Sequence, residues 1–277
     1  MWSDTLTTRE AEFTKIAIDT LANVAWTQPV LERLQQAGGI KSENKPLMFE
    51  VRFAYELHRV GASAEYEYRA GVGDSTIEFR VLGEIPWLIE LVSIKTSQAA
   101  KTAITQHGLI YEQVFSSKAK NVAQSEEAEM ITAQQKIGEK VFTKGNPTKF
   151  PLPQDKSCQM ILVDTRGYLD EGGDIFDYRQ MAYGAQGIPP QYSWTIHYWE
   201  SEHGKLEPIK GLFEKACPLR AAPFIQERIH FLGFICERYF CAGEISNRAY
   251  YLPNLHLLSN DEARKIYEVY PLKGKRA

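Results

Sequence analysis

The chain has 277 residues, 44% of them hydrophobic, with 32 basic and 35 acidic side chains and a formal net charge of -3. That composition supports a packed core and argues against disorder, while its apolar runs fall far short of the roughly 20 residues needed to cross a bilayer. A slightly acidic chain has no overall attraction for nucleic acid, so any such contact requires a local basic patch.

The four cysteines, Cys158, Cys217, Cys236 and Cys241, show neither a CxxC pair nor a spacing shared with histidine, which argues against a zinc site or a disulfide framework. The N-terminus lacks the basic start and apolar stretch of an export signal, so a cytoplasmic protein is expected. From Thr7, a capping-box pattern ending at Glu10 and apolar residues at helical spacing (Phe13, Ile16, Ala17, Leu21) predict a helix that stops before Pro29. A short helix is expected over 30–36 and a third over 46–60, with Pro46 in its first turn and Gly61 beyond its end.

Alternation then predicts strands over 64–70 and 75–82, the second with Ile77, Phe79 and Val81 on one face and Thr76, Glu78 and Arg80 on the other. Residues 87–94 are nearly all apolar, as in a strand covered on both faces, and Glu90 is the lone ionisable residue there. A long helical region is expected next, with Ser125 as a cap and a buried stripe of Met130, Ile131, Ile137 and Val141. On the helical wheel Gln134 lies in that stripe, while Lys136 and Lys140 point away. A proline-rich connection (146–153), a strand over 158–164, a glycine- and tyrosine-rich loop (167–190) with a short helix near 177–182, strands over 192–199 and 229–236, and a helix over 260–269 complete the α/β pattern.

Hydrolysis of a phosphodiester with a hard divalent cation needs two or three converging carboxylates. Asp74, Thr76 and Glu78 share one parity, Glu90 lies across the next turn, and Glu50 on the preceding helix adds a third carboxylate. The helix 50–57, the strand 76–79 and the strand 88–93 resemble the helix acid, second-strand acid and third-strand acid of the PD-(D/E)XK, or restriction endonuclease-like, superfamily, and Gln134 resembles the glutamine that some members carry on the following helix. The resemblance implies a core of helix, three strands, helix and strand over 46–165, preceded by a helical segment (1–45) and followed by a mixed α+β C-terminal extension (166–277). It further implies a nuclease acting on DNA, or less often RNA, with Mg²⁺ or Mn²⁺ held by Asp74, Glu78 and Glu90, and with Glu50 and Gln134 assisting.

The chain departs from that family at Val92, where the lysine is expected two residues after Glu90. Lys95 is a substitute only through a bulge, because its strand parity is opposite. A second expectation is therefore a catalytically silent relative that binds nucleic acid or a protein partner, with the oligomeric state left open, a homodimer included. Plainer readings stand beside these: Glu90 as a buried acid paired to Arg52, Arg80 or Lys95, Asp74 as turn chemistry, and the arginines of 166–179 as members of either a phosphate-gripping or a packed loop.

Overall fold

The computed structural model describes residues 5–97, 104–107, 110–113, 126–153, 157–169, 172–192 and 208–276. Three helices come first: α1 (Thr8–Leu21), α2 (Gln28–Gln36) and α3 (Lys45–Arg59). The Thr7 hydroxyl accepts from the Glu10 amide to cap α1, and Pro29 and Pro46 occupy first-turn positions of α2 and α3 where no intrahelical donor is lost. α3 is the central helix of one layer and buries Phe49, Phe53 and Leu57 together with Glu50 and Arg52.

β1 (Ala64–Tyr68), β2 (Ile77–Val81) and β3 (Trp87–Ser93) form an antiparallel meander. After a separate ribbon of β4 (Ile104–His107) and β5 (Ile110–Gln113) come α4 (Glu126–Gly138), a tight hairpin of β6 (Phe142–Thr143) and β7 (Asn146–Pro147), and β8 (Cys158–Asp164). β8 lies parallel beside β3, with Ile161 opposite Glu90 and Asp164 opposite Ser93. The chain continues through α5 (Ile175–Tyr183), α6 (Ala222–Arg228), β9 (Phe231–Ile235), α7 (Glu244–Arg248), β10 (Tyr250–Pro253), α8 (Asn260–Glu268) and β11 (Lys275–Arg276).

Seven strands make one mixed sheet in the order β1-β2-β3-β8-β9-β10-β11. Phe79, Ile89, Leu162 and Ile235 pack one face against α1 and α3, and Leu88, Val92, Ile161 and Phe234 pack the other against α4 and α5. The result is a mixed α/β architecture with helical cover on both faces, as apolar strands in the sheet centre require. β9 to β11 continue the same sheet, so residues beyond 166 share the core rather than merely resting on it.

Three sequence expectations change. The region after β3 is not helical throughout: Ile, Thr and Tyr in β4 and β5 favour the extended ribbon, and the expected Ser125 cap lies outside the described residues. The strand expected over 192–199 lies outside the described residues from position 193 on, and Tyr192 closes a 3-10 turn. β10 was not anticipated, because four residues give too little alternation to read. Among the described residues no helix is long and apolar enough to cross a membrane.

A buried ionic cluster ties the layers together at the ends of β8 and β9. Arg166 donates through Nε to both Asp164 oxygens (2.7 and 2.8 Å) and pairs through Nη1 with Glu10 Oε1 at 2.6 Å. Arg52 pairs with Glu237 at 2.9 Å and Glu10 at 3.5 Å, and Lys45 reaches Glu10 at 3.2 Å. Both guanidinium carbons lie 5.4 Å from the Phe240 ring centre. Arg166 therefore faces inward, and the phosphate-gripping reading of the 166–179 segment loses its first arginine.

Candidate active site

Strict alternation in β2 breaks at Glu78. Phe79 and Val81 face the α3 side as expected, but Ile77 joins the opposite core, and β1 shows the same change between Tyr66 and Tyr68. Between those two tyrosines Glu67 holds φ at 52°, a left-handed conformation that a non-glycine residue adopts at a cost. The change of face across this strand pair falls at Glu78.

There the two strand carboxylates take over where the ladder ends. Glu90 Oε1 accepts from the Glu78 amide at 2.8 Å, and Glu78 Oε2 accepts from the Leu91 amide at 2.5 Å. Each acid satisfies a backbone donor that would otherwise be buried without a partner. Their remaining oxygens share one ammonium: that of Lys140 lies 2.9 Å from Glu78 Oε1 and 3.0 Å from Glu90 Oε2. Lys149 adds a second contact to Glu90 Oε2 at 2.5 Å.

Glu50 enters from α3. Its Oε2 accepts from the Tyr66 hydroxyl at 2.5 Å, the same hydroxyl accepts from Arg33 at 2.7 Å, and Arg33 lies 3.6 Å from the Glu50 carboxylate. Glu50, Glu78, Lys140 and Lys149 line one open cavity of about 440 Å³, with Lys136 and Glu139 on its rim. Val92 also lines it, so the apolar position after Glu90 sits beside the ammonium that reaches in from elsewhere.

The structure joins Glu90 to Glu78 and sets Glu50 in one cavity with Glu78, with Glu90 fully buried behind the lining, and it leaves three other expected residues apart. Asp74 is exposed in the β1–β2 turn and does not line the cavity, so the metal set of Asp74, Glu78 and Glu90 is not assembled. Gln134 donates to the carbonyls of Met181 and Lys210 and so joins α4 to neighbouring backbone, away from the acids. Lys95 is exposed past the end of β3 and does not line the cavity either. Among the described residues no group of three or more His, Cys, Asp or Glu side chains is arranged to hold a metal ion. The chain matches no protein-family model, no curated protein and no solved structure.

The plain pairings proposed for Glu90 are also replaced. Arg52 belongs to the buried cluster, and Arg80 pairs with Glu65 at 3.1 Å. Two lysines were missed as partners. α4 ends at Gly138, so Lys140 belongs to the turn beyond it, and a wheel extended through that glycine gives it the wrong direction. Lys149 follows the β6–β7 hairpin, whose Lys144-Gly145 turn has φ of 52° and 85°, the two positive values of a type I′ connection. Lys149 itself has φ of 63°, and its amide is held by Ser75 Oγ at 2.8 Å. The Thr-Lys-Gly-Asn sequence was the available signal for this turn.

Burial, reinforced by the Glu78 charge, pushes the Glu50 carboxyl up to about 7, against the opposing pull of Tyr66, Arg33 and Lys140. Burial, again with the Glu78 charge, raises the Glu90 carboxyl as well. For Lys140, burial alone would lower the pKa, but Glu78 and Glu90 outweigh it and keep the ammonium charged. Because Glu50 rises from an ordinary value of 4.5, its contribution to folding is full below that pH and is lost as pH climbs through about 7. Glu50→Gln removes this penalty. Urea midpoints should therefore show the variant gaining on the wild type between pH 5 and pH 8, by up to roughly 3 kcal/mol. An identical difference at the two pH values would contradict the assignment.

Proposed function

We propose that this protein is a divalent-metal-dependent nuclease-like hydrolase of phosphodiester bonds, with a restriction endonuclease-like core formed by α3, β1, β2, β3, α4 and β8. The observation that carries the reading is the pairing of Glu78 and Glu90, two carboxylates on adjacent strands that share one ammonium, with Glu50 in the cavity that Glu78 lines. The order of helix, antiparallel three-strand meander, helix and parallel fourth strand supports it.

The shared Lys140 ammonium is a stand-in for a metal: it marks a point where two hard oxygen donors accept one positive charge. That donor chemistry fits Mg²⁺ or Mn²⁺, which Glu78 and Glu90 would hold, with Glu50 alongside. When bound, such an ion activates water and neutralises charge at the scissile phosphate. The chain's own part is to present Lys140 and Lys149 as cations for the phosphate oxygens and so fill the role that Val92 leaves open. Glu50, with a carboxyl near neutrality, holds or releases a proton at the edge of the cavity, and Tyr66 and Arg33 fix its orientation.

One observation favours a silent, binding-only relative instead: Lys140 and Lys149 already compensate Glu78 and Glu90, so the site is close to balanced without a metal. The two readings separate in one assay. Labelled single- and double-stranded DNA and RNA are incubated with wild type, Glu78→Gln and Glu90→Gln in Mn²⁺ or in EDTA. The hydrolase reading expects cleavage by the wild type in Mn²⁺ only, reduced by about 10²-fold or more in either variant. Binding of the same probes without cleavage would support the silent relative.

A further inference from the structure

We infer that the segment from the end of α4 through the β6–β7 hairpin, residues 136–149, is the surface that receives the phosphate backbone of a nucleic acid and leads it to the carboxylate cavity. The identity of the ligand rests on the hydrolase reading, but the surface has its own basis. The whole chain carries a formal charge of -3, yet these 14 residues hold Lys136, Lys140, Lys144 and Lys149 against a single acid, Glu139. This is a local basic patch of the kind that an acidic protein needs in order to meet a polyanion.

The four ammonium groups divide into two sets. Lys140 and Lys149 turn inward to Glu78 and Glu90. Lys136 stays about half exposed at the rim, with a side-chain accessibility of 52%, in a surface pair with Glu139. Lys144 is exposed at the tip of the hairpin, and among the described residues its ammonium has no carboxylate partner. Such a surface pair is weak and yields readily to a phosphate.

The hairpin holds Lys144 on a fixed support. Thr148 N donates to Val141 O at 2.8 Å across its base, the Thr143 hydroxyl donates to Glu139 O at 2.6 Å, and the Lys149 amide is anchored on Ser75. The positive φ at Lys149, outside the type I′ turn, costs conformational energy. Lys136, Thr143 and Lys149 also line the cavity itself, so the basic rim and the acidic floor are continuous. None of the exposed large apolar side chains among the described residues falls within 136–149, which favours a phosphate backbone over an apolar protein surface as the occupant.

The test is metal-free, so its outcome does not depend on cleavage. Fluorescence anisotropy of a labelled 20-nucleotide strand and the corresponding duplex is recorded with wild type and the Lys136→Glu/Lys144→Glu double variant from 50 to 200 mM salt. The wild type is expected to bind at least one probe, with affinity falling as salt rises. The variant should bind about tenfold or more weakly at low salt, with a log–log slope shallower by about 1 to 2. A Lys136→Gln/Lys144→Gln variant with a wild-type melting curve keeps the test valid if charge reversal disturbs folding, and should show the same direction of change. Equal affinity and slope in the folded variants would overturn the inference, as would failure of the wild type to bind either probe at 50 mM salt. Binding of poly-glutamate as tight as that of DNA would overturn the assignment to nucleic acid.

Discussion

Lys140→Met is expected to tighten Mn²⁺ binding to the free protein by about tenfold or more and to slow phosphodiester cleavage by about 10²- to 10³-fold. The opposite signs follow from one geometry. In the free protein the Lys140 ammonium is within hydrogen-bonding distance of Glu78 and Glu90, so it competes with a divalent cation for the same two oxygens. Methionine keeps much of the apolar stem and removes the competitor, but it also removes the cation assigned to the phosphate. Without metal, Glu78 and Glu90 face each other with Lys149 as the remaining lysine on Glu90, so the variant should melt below the wild type and recover on adding Mn²⁺. Calorimetry, thermal melts and initial cleavage rates read the three effects. Unchanged metal affinity would mean that the ammonium and the metal do not share a site.

Arg166→Ala is expected to be the most damaging substitution for stability, by about 3 to 5 kcal/mol. Arg166 is 3% exposed and neutralises Asp164 and Glu10, which are 2% and 0% exposed. Its loss leaves the buried Asp164 without its guanidinium where water cannot replace it, weakens the pairing of Glu10, and removes one of the two cations against Phe240. Arg52 and Lys45 still reach Glu10, so most of the cost falls on Asp164. For a chain of this length that corresponds to a fall of roughly 10 °C in melting midpoint. A midpoint within about 2 °C of the wild type would show that the cluster relaxes without cost.

The three acids Glu50, Glu78 and Glu90 were legible because their neighbours single them out. Glu90 is the one ionisable residue in the apolar stretch 87–94, Glu78 lies within the alternating strand before it, and Glu50 sits beside the apolar face of the preceding helix. The cations were not legible, because both come from places where periodicity stops. Lys140 lies past the Gly138 end of α4, and Lys149 follows a two-residue turn within a segment that reads as a proline-rich connection. Lys140, the lysine that reaches Glu90, is 50 residues away from it, and no local pattern links them.

Long separation also explains the other differences. Gln134 finds acceptors at Met181 and Lys210, and Arg52 finds Glu237, 185 residues along the chain, instead of Glu90. An α/β sheet with helical cover was expected as a class, because apolar central strands and amphipathic helices dictate it. That β9 to β11 extend the same sheet depends on pairings such as Met160 with Phe231, for which sequence carries no register signal. Asp74 illustrates the converse: its parity with Glu78 holds only for an idealised strand, but β2 begins at Ile77 and Asp74 lies exposed in the turn before it, outside the cavity lining.

Whether Glu78 and Glu90 together hold a hard divalent cation is read from anomalous diffraction by crystals soaked in Mn²⁺. The expected result is a manganese peak within coordination distance, about 2.0 to 2.6 Å, of both carboxylates, with the Lys140 ammonium moved off the pair. A map with no manganese at these two residues, and Lys140 still bridging them at saturating Mn²⁺, would contradict the proposed metal site.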